Sequence, residues 1–171
     1  MYLSKLMWLT TVIAALAGLL GIQVEGNQIP VAGAAAPVVS FAFHHGGMST
    51  FDIYAYMVEM DEASGEQTVN YELFCGYETY MLPADAELLQ ELAKLVDDYN
   101  LRKWDGFDKV NSHVLDGSSF DLEIRFGDGT SITASGSNRF PEGYSDAKTA
   151  VDDLFHGYLM KYGIEAGGGI R

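Results

Sequence analysis

Five polar residues in the C-terminal half of the chain have side chains that suit a ligand site: Asp105, Asp116, Ser137, Asn138 and Arg139. An arginine guanidinium can bind a carboxylate or a phosphate through two parallel hydrogen bonds. Alternatively, the two aspartates can act as a carboxylate pair in general acid–base catalysis. We predict that the five side chains converge at one end of a β-sheet, where the arginine would hold an anionic group.

These residues belong to a series of short motifs in this part of the chain. The motifs are W-D-G-F from Trp104, D-G-S-S-F from Asp116, D-G-T from Asp128 and G-S-N-R-F-P from Gly136. The series resembles an uncharacterised extracytoplasmic domain of Gram-positive bacteria, found behind signal sequences or lipoprotein anchors. The resemblance covers roughly Phe41 to Tyr162. It implies export and brings no known activity, and the lipoprotein cysteine is missing after the apolar N-terminal segment.

Each motif residue also has a structural role available. Asp-Gly pairs form turns, because aspartate binds nearby backbone N–H groups and glycine accepts positive φ, which covers Asp105, Asp116 and Asp128. The aromatic members of the motifs and the final proline can close one end of the hydrophobic core. Ser145 and Lys148 match S-x-x-K, but the partner motifs of such acyl-transfer enzymes are missing, so Ser145 is expected as a helix N-cap.

Three tyrosines lie close together in sequence before the first predicted helix: Tyr71, Tyr77 and Tyr80. Tyrosine is enriched in recognition surfaces, because its ring contributes a large apolar area and its hydroxyl a polar tip. We predict that these residues form a surface aromatic patch, although part of the aromatic set must belong to the core.

The chain offers little for a metal ion or a cofactor. His44 and His45 are adjacent on a predicted strand, so their side chains point to opposite faces and cannot both bind one ion without a bend at Gly46-Gly47. The single cysteine, Cys75, excludes an intramolecular disulfide and a cysteine-rich zinc site. The acidic loops lack the ligand spacing of an EF-hand. We therefore expect no metal and no cofactor.

Hydrophobic patterns predict the elements that position these residues. Strands are predicted at 38–44, 51–60, 68–75 and 120–126, and a partner strand includes Ile132 and Ala134. One amphipathic helix begins at Pro83 and ends near Asn100, and a second runs from the N-cap Ser145 to Gly163. Because hairpins imply antiparallel pairing, the expected fold is α+β. It is a two-layer antiparallel sheet of four to five strands with two helices packed on one face, in the order βββα-loop-ββα.

The N-terminal region is predicted to target or anchor the chain. Residues 6–22 are continuously apolar behind Lys5, a length between the about 7–15 residues of a signal-peptide core and the about 20 of a membrane helix. We predict that residues 1–24 are a signal peptide or an N-terminal membrane anchor, with cleavage left open. Residues 25–37 are expected to be a linker, residues 38–163 a single α+β domain and residues 164–171 a flexible tail.

The charge balance limits the class of partner. Asp and Glu number 24 against 10 Lys and Arg, which gives a formal net charge of −14. Such a surface repels the phosphate backbone, so we expect no nucleic-acid partner. The expected function is a non-enzymatic extracytoplasmic module, membrane-anchored or secreted, that binds a protein or another cell-envelope component and meets the membrane only through its N-terminal segment. The alternative is a small hydrolase or transferase that uses Asp105, Asp116, Asn138 and Arg139.

Overall fold

The computed structural model describes residues 36–49, 52–61, 63–73, 78–114 and 116–164. The predicted signal peptide or anchor, nearly all of the predicted linker and all but the first residue of the predicted tail lie outside these ranges. Tyr77 and Cys75 lie outside them as well.

Within the described residues, the chain forms seven β-strands and two α-helices. The strands are β1 (Val38–Gly46), β2 (Ile53–Met60), β3 (Gln67–Leu73), β4 (Glu78–Pro83), β5 (Phe107–Val110), β6 (Ser119–Phe126) and β7 (Ser131–Ser137). The helices are α1 (Ala86–Asp98) and α2 (Tyr144–Lys161), and a short 3₁₀ helix spans Leu101–Trp104. The strands form one sheet in the order β4-β3-β2-β1-β6-β7-β5. Neighbouring strands are antiparallel except β5 and β7, which are parallel.

Alternation along the strands produces one buried face. In β6 the side chains of Phe120, Leu122, Ile124 and Phe126 are buried, whereas Asp121 and Arg125 between them are exposed. The register carries this alternation across the sheet, since Phe43 of β1 is opposite both Tyr56 of β2 and Leu122 of β6. The inward side chains of neighbouring strands therefore form one continuous apolar layer.

Helix α1 covers part of this layer with a narrow apolar stripe. The carboxylate of Asp85 accepts the backbone N–H of Leu88 at 2.8 Å, which caps the N-terminus of the helix. The buried residues of the helix are Leu88, Leu92, Leu95 and Val96. Their spacing places them on one side of the helix, which packs into the same hydrophobic cluster as the strands.

Helix α2 packs on the sheet through a central phenylalanine. The ring of Phe155 is fully buried and stacks on Tyr56 at 4.5 Å and on Phe41 at 5.6 Å between ring centroids. At the far end of α2, the ammonium group of Lys161 is 2.7 Å from a carboxylate oxygen of Glu87 in α1. The two helices thus form the second layer of an α+β fold, which confirms the predicted fold class.

The predicted number of strands was wrong, because both edge strands of the sheet were missed. Pro83 ends β4 instead of starting the helix, and β5 lies inside a stretch predicted as a connecting loop. All side chains in both strands are exposed or half-buried, so neither strand shows the strong alternation of a strand with one buried face. The prediction of an entirely antiparallel sheet also fails at β5, which pairs parallel with β7 through Phe107 and Ala134.

The predicted N-cap of the second helix was also wrong. Helix α2 begins at Tyr144, after Gly143 in the left-handed region at φ 78°, so Ser145 lies inside the first turn. Tyr144 is buried, and the helix begins with this core residue, so its N-cap lies two residues earlier than the capping pattern suggests. The backbone carbonyl of Ser145 accepts a hydrogen bond from the hydroxyl of Thr149 at 3.0 Å.

Replacement of Phe155 by alanine tests whether the two layers depend on this ring. We expect Phe155→Ala to lower the free energy of unfolding by about 3–5 kcal/mol, because it removes a fully buried ring and leaves a cavity. Met160→Ala, in the same helix but 49% exposed, should change it by less than about 0.5 kcal/mol. Urea unfolding measures both values, and equal losses in the two variants would contradict the packing described here.

Candidate functional site

The sheet has one face without a covering layer. Within the described ranges, both helices lie against the inward face, and no helix or strand lies over the opposite face. We call this opposite surface the outer face. Its central row runs in register across five strands through Glu72, Ala55, His44, Asp121 and Ser135.

Three cavities lie next to one another on the outer face. The first has a volume of about 210 Å³ and lies between Glu72 and Asp121, with Ala55 among its lining residues. The second, of about 480 Å³, includes Ala42, and the third, of about 200 Å³, includes Ser135. Small side chains of this kind leave space between the strands, which explains why the recesses form at the centre of the face.

The outer face is acidic. Its carboxylates are Glu59, Glu72, Asp108, Asp121 and Glu123. Glu123 forms an ion pair with Arg125 at 2.7 Å. Among the described residues, no lysine or arginine lies within ion-pair distance of Glu72 or Asp121. These two acids are three strand spacings apart, about 14 Å, so the first cavity has an uncompensated carboxylate on each side.

The five residues predicted as a ligand site do not all come together. Asp105 lies before β5, where its carboxylate accepts the backbone N–H of Thr133 in β7 at 3.0 Å. Thr133 and Ser137 are four residues apart on this strand, which separates them by about 13 Å. The predicted convergence therefore fails for Asp105, because its carboxylate binds the middle of β7, whereas Ser137, Asn138 and Arg139 lie at the end of this strand.

The remaining predicted residues surround the end of β7. Asn138 adopts the left-handed conformation at φ 54°, and a Cβ placed on Gly117 would lie only 1.6 Å from its side-chain oxygen. Ser137 is half-buried in the strand, whereas Asp116 and Arg139 are exposed. Asn138 thus packs closely against the segment that leads into β6, which is the structural role that the sequence left open.

The aromatic residues of the motifs pack together at this end of the core. We call Trp104, Phe107, Phe120, Phe140 and Tyr144 the aromatic plug. Its ring centroids are 4.7 Å apart for Phe120 and Tyr144, 4.5 Å for Phe140 and Tyr144, and 6.2 Å for Phe120 with either Trp104 or Phe107. The indole N–H of Trp104 donates to the backbone carbonyl of Glu142 at 3.2 Å. The motif aromatics therefore close the end of the core.

Gly136 is required where β7 turns into the plug. A Cβ at this position would lie 2.1 Å from the backbone carbonyl oxygen of Arg139 and 2.7 Å from the ring of Phe120. The glycine of the G-S-N-R-F-P motif thus allows the chain to fold back tightly on itself.

The predicted surface aromatic patch is not formed as expected. Tyr71 is 2% exposed in the core, where it stacks on Tyr56 at 4.9 Å, and burial raises its pKa to about 12. Tyr80 is half-buried and packs against Tyr71 at 6.4 Å between ring centroids. With Tyr77 outside the described residues, the patch interpretation has no exposed ring to support it. Tyr71 alternates with the half-buried residues Asn70 and Glu72 on an interior strand, so its side chain faces inward.

A cluster of polar side chains, buried except for the half-buried Lys148 and the exposed Asp52 at its edge, lies between β1, β2 and α2, and the sequence predictions missed it. We call Asp52, His45, Tyr54, Tyr144, Lys148 and Asp152 the buried polar cluster. Asp152 is 5% exposed and accepts two hydrogen bonds, from the hydroxyl of Tyr54 at 2.8 Å and from the ammonium of Lys148 at 2.9 Å. Burial raises the pKa of Tyr54, and the charge of Asp152 raises it further.

His45 belongs to the same cluster, and its side chain is 6% exposed. Its Nδ1 is 3.4 Å from the hydroxyl of Tyr144, and its Nε2 is 3.5 Å from a carboxylate oxygen of Asp52. Burial also raises the pKa of Tyr144, so this phenol is a poor nucleophile at neutral pH. The sequence signals were the place of His45 in the inward alternation with Phe41 and Phe43, and the i,i+4 spacing of Lys148 and Asp152.

The described part of the chain offers no metal site and no membrane helix. Within the described ranges, no group of three or more His, Cys, Asp or Glu side chains is placed to hold a metal ion. None of the helices there is both long and apolar enough to cross a membrane.

Replacement of Gly136 by alanine tests whether the last motif serves the fold. We expect Gly136→Ala to lower the free energy of unfolding by more than about 2 kcal/mol, because the added methyl group overlaps a backbone carbonyl. Gly157→Ala in α2 is the control, since an added Cβ there meets no atom within 4 Å and alanine favours the helix by about 1 kcal/mol. Denaturant unfolding gives both values. A Gly136→Ala protein as stable as the wild type would count against a structural role.

Comparison with known proteins adds no relative from which a function could be transferred. The chain matches no family model, and no curated protein matches it. The function is therefore argued from the geometry of the outer face and of the buried polar cluster.

Proposed function

We propose that the chain is a non-enzymatic extracytoplasmic binding module, membrane-anchored or secreted, whose outer face binds a basic segment of a protein in the cell envelope. The observation that carries this proposal is the uncovered outer face with its three adjacent cavities. A binding partner can insert its own side chains into such recesses, and the polar side chains beside them can form hydrogen bonds or ion pairs with it.

Charge complementarity supports a basic partner. The whole chain carries a formal net charge of −14, and the first cavity has the uncompensated carboxylates of Glu72 and Asp121 on its two sides. An acidic face attracts a basic partner as the two molecules approach, and it repels acidic proteins, including a second acidic face of the same kind. A lysine- or arginine-rich segment is thus a better occupant than a second copy of this chain.

The lining of the first cavity supports a long cationic side chain. Ala55 and Ile53 offer an apolar surface for the methylene stem of a lysine or arginine. One of the two carboxylates can bind the charged head group of this side chain, and the other can bind a second cation of the same segment, because Glu72 and Asp121 are about 14 Å apart. A volume of about 210 Å³ suits one such side chain better than a folded element.

The proposed location rests on the sequence. The apolar run from Leu6 to Ile22 behind Lys5 is typical of a segment that directs a chain to or through a membrane. The resemblance of the motifs to an extracytoplasmic domain favours the same location. An enzyme that uses Asp105 together with Asn138 is not supported, because the carboxylate of Asp105 binds Thr133 within β7, whereas the side chain of Asn138 packs against the segment that leads into β6.

Neutralising the first cavity tests the binding function. The full chain in non-ionic detergent micelles is titrated into a fluorescent lysine-rich peptide, and anisotropy gives the dissociation constant. We expect the double variant Glu72→Gln with Asp121→Asn to bind about fivefold more weakly, since each exposed ion pair contributes about 0.5 kcal/mol. A glutamate-rich peptide of equal length should not bind.

A matched control removes the same charge elsewhere. Glu91→Gln with Asp97→Asn changes two exposed acids of α1, on the helix side of the sheet, and should bind like the wild type. Equal weakening in the two double variants would mean that only net charge attracts the peptide, which would reject the outer face as the site. Binding that is unchanged in both would reject it as well. Sedimentation velocity of the free chain tests whether a second copy occupies the face instead.

A further inference from the structure

We propose that His45 is a pH-sensitive latch that holds the start of helix α2 to the sheet while its ring is neutral and loosens this contact when the ring gains a proton. The inference is independent of the binding function proposed for the outer face, because it rests on the geometry of the buried polar cluster.

The position of His45 suits a latch, because its ring contacts three separate parts of the chain. Its Nδ1 faces the hydroxyl of Tyr144 at 3.4 Å, at the first residue of α2. Its Nε2 faces a carboxylate oxygen of Asp52, just before β2, at 3.5 Å. The ring also packs on Tyr54 with 5.2 Å between centroids. A change in this one ring thus reaches the second strand and the second helix together.

The hydrogen-bond pattern fits a neutral ring. With the proton on Nε2, the ring donates to Asp52 and its Nδ1 can accept the hydroxyl proton of Tyr144. When the ring is protonated, both nitrogens are donors, and the hydroxyl of Tyr144 must turn its hydrogen away from Nδ1. Protonation therefore exchanges donor and acceptor in this contact and places a positive charge on a buried ring, where both the loss of hydration and the charge of Lys148 disfavour it.

The surrounding groups resist protonation in the folded chain. The groups that face His45 are Asp52 from the segment before β2, Tyr54 from β2, and Tyr144, Lys148 and Asp152 from α2. Burial lowers the pKa of His45 most, and the positive charge of Lys148 lowers it further. Asp52 and Asp152 raise it, but Asp52 is 54% exposed and Asp152 already binds Lys148 and Tyr54.

The sign of the pH effect follows from this lowered pKa. A histidine in the unfolded chain takes up a proton as the pH falls through about 6.5, whereas folded His45 does so only at lower pH. Between these two values the unfolded chain binds more protons, so stability falls with falling pH. The change approaches tenfold in the folding equilibrium constant for each pH unit of the interval.

The effect of the latch extends to the aromatic plug. Tyr144, which faces His45, also stacks on Phe140 at 4.5 Å and lies 4.7 Å from Phe120. The charged ring regains water when the start of α2 moves away from β1, and this start carries a ring of the plug. Acid should therefore loosen this end of the core before the sheet itself unfolds.

The test combines a titration with an unfolding experiment on the full chain in non-ionic detergent. NMR follows the imidazole carbon signals of the wild type, and we expect His45 to titrate below about pH 6.5. Urea unfolding gives the folding equilibrium constant at about pH 7.5 and at about pH 5. We expect this constant to fall on acidification, and to fall less in His45→Gln than in the wild type. His113→Gln is the control and should keep the wild-type loss.

A third variant separates a latch from a merely structural histidine. Asp52→Asn removes a charge that raises the pKa of His45, so the titration should move to still lower pH and the acid loss should grow. If protonation of His45 did not weaken this part of the fold, the acid loss would be the same in Asp52→Asn as in the wild type. A His45 signal that titrates at or above about pH 6.5 in the wild type overturns the proposal, even if His45→Gln fails to fold. So does an acid loss that is the same in His45→Gln and the wild type.

Discussion

Strand β1 and its two registers determine the rest of the structure. Phe43 is opposite Tyr56 on one side and Leu122 on the other, so β1 joins the N-terminal strands to the C-terminal strands in one sheet. A shift of one residue in either pairing would turn the inward residues of β1 to the outer face. The buried layer that receives both helices, the small residues of the outer face and the inward position of His45 all require this register.

The parts of the fold that could be predicted from the sequence are those with a strong local pattern. The alternation in β6 and the spacing of Leu88, Leu92 and Leu95 in α1 each identify an element and its buried side. Edge strands β4 and β5 gave no comparable signal, since one neighbour and a partly solvated surface do not select for alternating apolar residues. The start of α2 was misplaced because burial of Tyr144 outweighed the capping preference of Ser145.

The candidate sites were less accessible to sequence reasoning, for two physical reasons. First, the sequence cannot distinguish a polar residue that stabilises a turn from one that binds a ligand. Asn138 and Asp105 are examples, because both have structural roles. Second, Glu72 and Asp121 become neighbours of one cavity only through the strand order β3-β2-β1-β6. His45 needed the position of α2 as well, because its partner Tyr144 comes from a distant part of the chain.

The strand order also has a consequence for how the chain reaches its native state. β1 to β4 are joined in sequence as hairpins, and β6 and β7 form another hairpin, so these two groups depend on short loops. Pairing of β1 with β6 joins residues such as Phe41 and Ile124 and must close a long loop before it gains any contact. We therefore expect this pairing to be the slow step of folding and, until it forms, the adjacent edges of β1 and β6 to be open to pairing with other chains.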